Sequence, residues 1–154
     1  MVKIVYCTEW SLFKKQPHNI LNEQDAKSKF VSEGIYVAVI YENEKVKNVI
    51  EIDEMSLTVR FYNDNQENYL LYGFVKKNDK LFLNTAYHYT YFNNKKIEHI
   101  LFNFKENGEM FVEKKDYISG ELEEREAVVD VSCNWEPFPK FGEYAGVIKV
   151  DREK

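Results

Sequence analysis

A chain of 154 residues that is 44% apolar and 16% aromatic can fill one core without disulfide or metal staples, and this composition excludes a disordered or low-complexity protein. The net charge of -5 is mild, and Lys76-Lys77, Lys95-Lys96 and Lys114-Lys115 each stand beside carboxylates or turns, so no basic stripe points to nucleic acid. No run of about 18 apolar residues appears, which argues against a membrane span.

Met1 to Cys7 reads as a strand and not as a signal peptide. Cys7 and Cys133 lie far apart in sequence and outside any metal-binding spacing, so free, buried thiols in a reducing cytoplasm are expected. Val2 to Cys7 is the first predicted strand, followed by a loop around Pro17 and His18. From Asn22 the spacing turns helical: Ala26, Phe30 and Val31 recur at helical intervals, with Asn22 as N-cap and Gly34 as the stop. The helix near residues 22–32 is weakly amphipathic, which suits a lid across one opening of a sheet.

Ile35 to Tyr41 is a continuous apolar run, the pattern of a central strand buried on both sides, and Val46 to Ile52 is its neighbour. Leu57, Val59 and Phe61 then alternate with Ser56, Thr58, Arg60 and Tyr62 as a one-sided strand. A register that places Phe61 opposite Leu70 keeps the core faces together.

Between Asn68 and Trp135, four turn signals separate runs rich in β-branched and aromatic residues: Asn78-Asp79, Asn94-Lys95, Asn107-Gly108 and Ser119-Gly120. If each loop has two residues, Phe74 faces Leu83, Tyr72 faces Thr85 and Leu70 faces Tyr87. Tyr89 then meets Ile100, Tyr87 meets Phe102, and Phe104 meets Phe111. One aromatic and aliphatic core face results, containing Leu70, Phe74, Leu83, Tyr87, Phe102 and Phe104.

The opposite face, with Val75, Phe82, Ala86, His88, Phe92, Leu101 and Met110, is too apolar to be left wholly to solvent. Ala127, Val129, Val131, Cys133 and Trp135 fall on this second face under a strict register, so either a bulge slips the count along the meander or the sheet curls to bury both faces in part; a bulge with closure into a barrel is expected. After Trp135 the prolines of Glu136-Pro137-Phe138-Pro139-Lys140-Phe141-Gly142 argue against sheet pairing, and Tyr144 to Val150 reads as a last short strand. The predicted architecture is all-β with one short helix. It is a single domain, 1–154, in which an antiparallel meander of about nine or ten strands forms a closed or nearly closed β-barrel.

No phosphate loop, nucleophile elbow, cysteine knuckle or His-Glu metalloprotease spacing occurs, and no cofactor is implied. The predicted register places His99 opposite Asp116 with His88 diagonal to it, a weak candidate metal or proton-transfer group that reads more simply as half-exposed polar residues of a solvated barrel exterior. Tyr72, Tyr87, Tyr89, Tyr91 and Phe102 are candidates for lining a ligand cavity. The carboxylates Glu121, Glu123, Glu124 and Glu126 form an acidic strand end, and Glu113 is expected to face Glu126. Trp135 and Phe138, held extended by proline, are candidate interface anchors.

Two function classes follow. One is a cytosolic protein-binding module of the inhibitor or immunity type, masking a basic partner with Glu121, Glu123, Glu124, Glu126, Trp135 and Phe138. The other is a barrel carrier of a small apolar or aromatic ligand. An enzyme using His88, His99 and Asp116 ranks third.

Overall fold

The structure, a computed structural model, describes residues 1–32 and 34–152. The chain runs through β1 (Val2–Ser11), β2 (Gln16–Leu21), α1 (Glu23–Val31), β3 (Tyr36–Glu42), β4 (Lys45–Ile52), β5 (Ser56–Tyr62) and β6 (Asn68–Lys77). It continues through β7 (Lys80–Phe92), β8 (Lys95–Phe104), β9 (Glu109–Asp116), β10 (Leu122–Val128) and β11 (Trp135–Pro137). These strands pair antiparallel in the order β10-β9-β8-β7-β6-β5-β4-β3-β1-β2, with β11 beside β7. An all-β meander with one short helix is what forms. The ends of the path, β10 and β2, do not pair with each other, so the ladder is not closed.

Asn22 caps α1 by accepting the Asp25 N–H at 2.8 Å, and Glu23, Asp25 and Lys29 complement the helix dipole. A helix of nine residues is marginal in isolation. Tertiary burial holds it, through the fully buried Ala26 and through Phe30, which packs on Tyr36, Phe138 and Phe141. It lies on the inner face of the sheet, where Tyr36, Ile50, Leu57, Val59, Leu70, Phe74 and Leu81 form the main core. The C-terminal segment completes the cover with Phe138, Phe141, Tyr144, Val147 and Ile148. Tyr144 to Val150 forms turns instead of the expected strand, because Tyr144 and Val147 are drawn into that core.

The loop expected around Pro17 and His18 is the strand β2. β1 pairs with β3 only as far as Cys7 and continues to Ser11 with β2 alone. This hairpin carries Trp10 over the outer face, where it covers Cys7, Val37, Val39, Val49 and Tyr62 as a second, smaller core. β3 is buried on both sides for that reason, as its continuous apolar run requires.

Turn geometry corrects the expected registers. The Asn78-Asp79 loop has two residues as read, with Lys77 opposite Lys80 and Phe74 opposite Leu83. The next loop is Asn93-Asn94, with both residues at positive φ, the requirement of a type I′ turn, so Phe92 pairs with Lys95. Lys105 and Glu109 flank a three-residue loop in which Gly108 has φ 95, and a Cβ there would lie 2.6 Å from the Val129 carbonyl. At the last turn the Asp116 carboxylate accepts the N–H groups of Ile118 and Ser119, which sustains a four-residue loop, Tyr117 to Gly120.

The decisive irregularity is on β7. Leu83 pairs with Phe74 but Thr85 with Gly73, so Asn84 is an extra residue. A bulge of one residue exchanges the faces of everything beyond it. Tyr87 therefore faces Leu71 and Leu101 on the outer side, and Ala86 and His88 turn inward opposite Tyr72 and Leu70. Leu70, Phe74 and Leu83 are buried together as expected, whereas Phe102 and Phe104 are half-buried at the margin of the inner face. The register shift lies here, within the meander, and β10 pairs with β9 from Leu122 to Val128 without one.

Candidate functional site

The central strands are covered on both faces, by α1 and the C-terminal segment inside and by the β1–β2 hairpin outside. Among the described residues, the outer face of the second half of β7 with β8, β9 and β10 has no such cover, and this part of the sheet forms a wing. On its outer face the bulge at Asn84 gathers Tyr87, Tyr89 and Tyr91. The Tyr87 and Tyr89 rings stack at 5.5 Å and 4°, and His99, directly opposite Tyr89, meets both edge-on.

His99 is held at both nitrogens, by the Tyr117 hydroxyl at Nδ1 (2.5 Å) and by Glu113 Oε2 at Nε2 (2.8 Å). The four-residue loop makes this possible by folding Tyr117 back over β8, where its N–H bonds to the Ile97 carbonyl. Lys96 Nζ lies 4.0 Å from the centre of the Tyr89 ring, a cation–π contact, and Tyr91 donates its hydroxyl to the Asn68 carbonyl at 2.8 Å. Desolvation and neighbouring phenols push Tyr89 and Tyr91 up to about 12, and desolvation followed by the Arg60 charge lowers Lys96. The result is a packed, half-buried aromatic platform in which Tyr91, His99 and Tyr117 are hydrogen-bonded.

Apolar side chains continue from the platform into solvent. Tyr117 is 42% exposed, Ile118 79% and Leu122 48%. Beyond them every residue of β10 is exposed. Between residues 109 and 128 seven carboxylates (Glu109, Glu113, Asp116, Glu121, Glu123, Glu124, Glu126) face three cations (Lys114, Lys115, Arg125), so this wing end is strongly acidic. Glu124, and not Glu126, is the residue opposite Glu113, while Glu123 lies opposite Lys114 and Glu126 opposite Phe111. The like-charge pair at Glu113 is relieved by His99 on its other side.

The remaining sequence candidates are dispersed. His99 pairs with Lys115, and Asp116 with Glu98, so His99 and Asp116 project to opposite faces; His88 lies on the inner face against Phe102. Desolvation lowers the His88 pKa. Among the described residues no group of three or more His, Cys, Asp or Glu is placed to hold a metal ion. The proposed cavity residues are divided between faces: Tyr72 and Phe102 lie inside, with the Tyr72 hydroxyl on the Val150 carbonyl at 2.5 Å, and Tyr87, Tyr89 and Tyr91 lie outside.

Trp135 and Phe138 are used by the fold itself. Trp135 pairs with Phe82 in the short β11 ladder, rings 4.9 Å apart, so the proline segment does begin with sheet pairing. Pro137 terminates that edge strand, where a missing N–H costs little. Phe138 packs on Phe30 beneath Lys76. Sequence reasoning missed Tyr117, Glu113 and Lys96 as partners of the aromatic face. The available signal was the spacing from Asp116 to Gly120, which suits a longer aspartate-initiated turn than Ser119-Gly120 alone.

No helix among the described residues is long and apolar enough to cross a membrane. Compared with known proteins, the chain matches no family model, no curated protein and no solved structure.

Proposed function

We propose that this is a non-enzymatic, cytoplasmic binding protein that masks a basic partner protein, in the manner of an inhibitor or immunity-type module. Its body is a strongly curved, nearly closed barrel wall with α1 as the lid. The observation that carries the reading is the wing's uncovered outer face, in which a packed tyrosine platform adjoins an acidic strand. Tyrosines fixed in place lose little entropy on binding and are favoured as interface anchors, while rim carboxylates attract a basic partner over distance. Tyr87, Tyr89 and Tyr117 are the anchors in this reading, and Trp135 and Phe138 border the core against Phe82 and Phe30. The free thiols Cys7 and Cys133 accord with a reducing compartment.

The test is affinity capture from the native host followed by kinetics on the captured protein. Replacing Glu121, Glu123, Glu124 and Glu126 by glutamine is expected to slow association and flatten its salt dependence. Tyr89→Ala or Tyr117→Ala is expected to speed dissociation, with a loss of at least about 2 kcal/mol in affinity. Recovery of only a lipid or another small apolar molecule sinks the reading.

That outcome leaves the carrier as the second reading, for which one observation speaks. A recess of about 510 Å³ opens between the wing's inner face and the C-terminal segment, lined by Tyr72, Leu83, Phe102 and Phe104 among others. It includes two of the five residues expected to line a cavity.

A further inference from the structure

The two ends of the sheet are built differently. β2 contains Pro17, which has no N–H to donate, and Asn19 in the left-handed region at φ 57, both of which interrupt an edge. β10 has neither: seven consecutive residues pair with β9 without a shift. Two backbone bonds set the alternation of this ladder, Val129 N–H to the Gly108 carbonyl and Asp116 N–H to the Glu121 carbonyl. Glu121, Glu123, Arg125 and Ala127 therefore bond toward β9, and the N–H and C=O groups of Leu122, Glu124, Glu126 and Val128 point away from the sheet. Among the described residues no strand pairs with them.

We propose that β10 is a docking edge, and that its occupant is an extended basic segment of the partner protein, added as a further antiparallel strand. This inference rests on the protein-binding reading and names its mode. Main-chain bonds to an open edge supply affinity without regard to sequence, and the side chains on the two faces choose the partner. Leu122, Glu124, Glu126 and Val128 share the outer face with the tyrosine platform; Glu123, Arg125 and Ala127 share the inner one. Read from the position opposite Val128 to the one opposite Leu122, the complementary segment is apolar, unrestricted, basic, acidic, basic, basic, apolar.

A second copy of the chain fits poorly. Antiparallel pairing of β10 with itself centred on Glu124 sets Glu124 against Glu124. Centred on Arg125 it sets Arg125 against Arg125 and Glu124 against Glu126. Like charges directly opposite destabilise a ladder. The glutamates thus protect the edge from self-association while leaving it open to a basic strand.

The probe is a capped peptide, Val-Thr-Lys-Glu-Lys-Lys-Val, titrated into the full chain with amide hydrogen exchange read by NMR. Saturation is expected to slow exchange at Leu122, Glu124, Glu126 and Val128 at least tenfold. Methylating the backbone nitrogen of the lysine opposite Glu124 keeps every charge but removes a donor to the edge, and should weaken binding at least tenfold. The same methylation on the glutamate opposite Arg125, whose N–H points away, should leave binding unchanged. The E124Q/E126Q variant, with its fold checked by the same spectra, should bind at least fivefold more weakly. Equal binding by the two methylated peptides, or none of the four amides protected, overturns the docking edge in favour of charge attraction alone. Protection of these amides that grows with protein concentration, without peptide, makes a second copy the occupant and also overturns it. A captured partner that shields the tyrosine platform and leaves the four amides exchanging defeats the edge while the binding reading stands. Peptide protection with no protein captured from the host keeps the edge and defeats the reading.

Discussion

Trp10 donates its indole N–H to the Tyr62 hydroxyl at 3.0 Å, although β3 and β4 lie between the strands that carry them. The contact exists because β1 leaves β3 after Cys7 and crosses the outer face, and it closes the second core. Tyr62→Phe leaves a buried donor without its acceptor and is expected to cost about 1–3 kcal/mol. Trp10→Phe with Tyr62→Phe should cost less than the sum of the single changes, since both ends of the bond are then gone. Urea unfolding of the four proteins in the cycle measures this; additive losses would show that the bond contributes nothing to stability.

Phe74 and Phe102 stand on the same inner face, but only Phe74 is fully buried. Phe74→Ala should cost about 3–5 kcal/mol as a large truncation in a filled core. Phe102→Ala, at the open margin, should cost clearly less, about 1–2 kcal/mol, because water already reaches the site and little cavity is left. Equal losses in chemical denaturation would mean that the wing is covered in solution.

Arg152 closes the C-terminal segment by bonding Glu136 and donating Nη1 to the Gly146 carbonyl at 3.1 Å, with its guanidinium over the Phe74 ring. Its side chain and that of Glu136 are 8% and 12% exposed. Removing one member of a buried pair costs about 3–5 kcal/mol, and the loss for Arg152→Ala should fall at or below the lower end because Lys149 also reaches Glu136 at 3.3 Å. Pairing Arg152→Met with Glu136→Gln should recover part of it. Thermal unfolding of the single and double variants tests both statements.

Alkaline pH should unfold the protein through its tyrosines. Burial raises Tyr36, Tyr89 and Tyr91 from 10.0 to about 12, and raises Tyr6 and Tyr144 further still. Between those pH values the folded state holds protons that the unfolded state has released, so stability falls as pH rises through 10 toward 12. Phenolate absorbance should show a first group of exposed tyrosines titrating normally. The buried group should follow in one step together with loss of the near-ultraviolet circular dichroism. Independent titration of all tyrosines near 10 with the fold intact would contradict this.

Local chemistry made much of the fold legible. Asn22 before a helical spacing specified α1, the continuous run of Ile35 to Tyr41 specified a strand covered on both sides, and the Asn78-Asp79 turn placed Phe74 opposite Leu83. Each of these depends on a few neighbouring residues, whose conformational preferences act whether or not the rest of the chain has folded. The candidate site was different, since it depended on counting residues across several turns. One extra residue at Asn84 on β7 sent Tyr87 to the outer face and His88 to the inner one, and a third residue in the loop between Lys105 and Glu109 set His99 opposite Lys115 instead of Asp116. Side chains alternate with a period of two, so an uncounted residue reverses every later assignment, and no single residue in the run announces it. What lies over each face was likewise decided only by the tertiary structure. Tyr144 and Val147 left their strand pattern for the core, and Trp10 crossed to Tyr62, because burying those rings against distant strands outweighs the weak local preference for extended pairing.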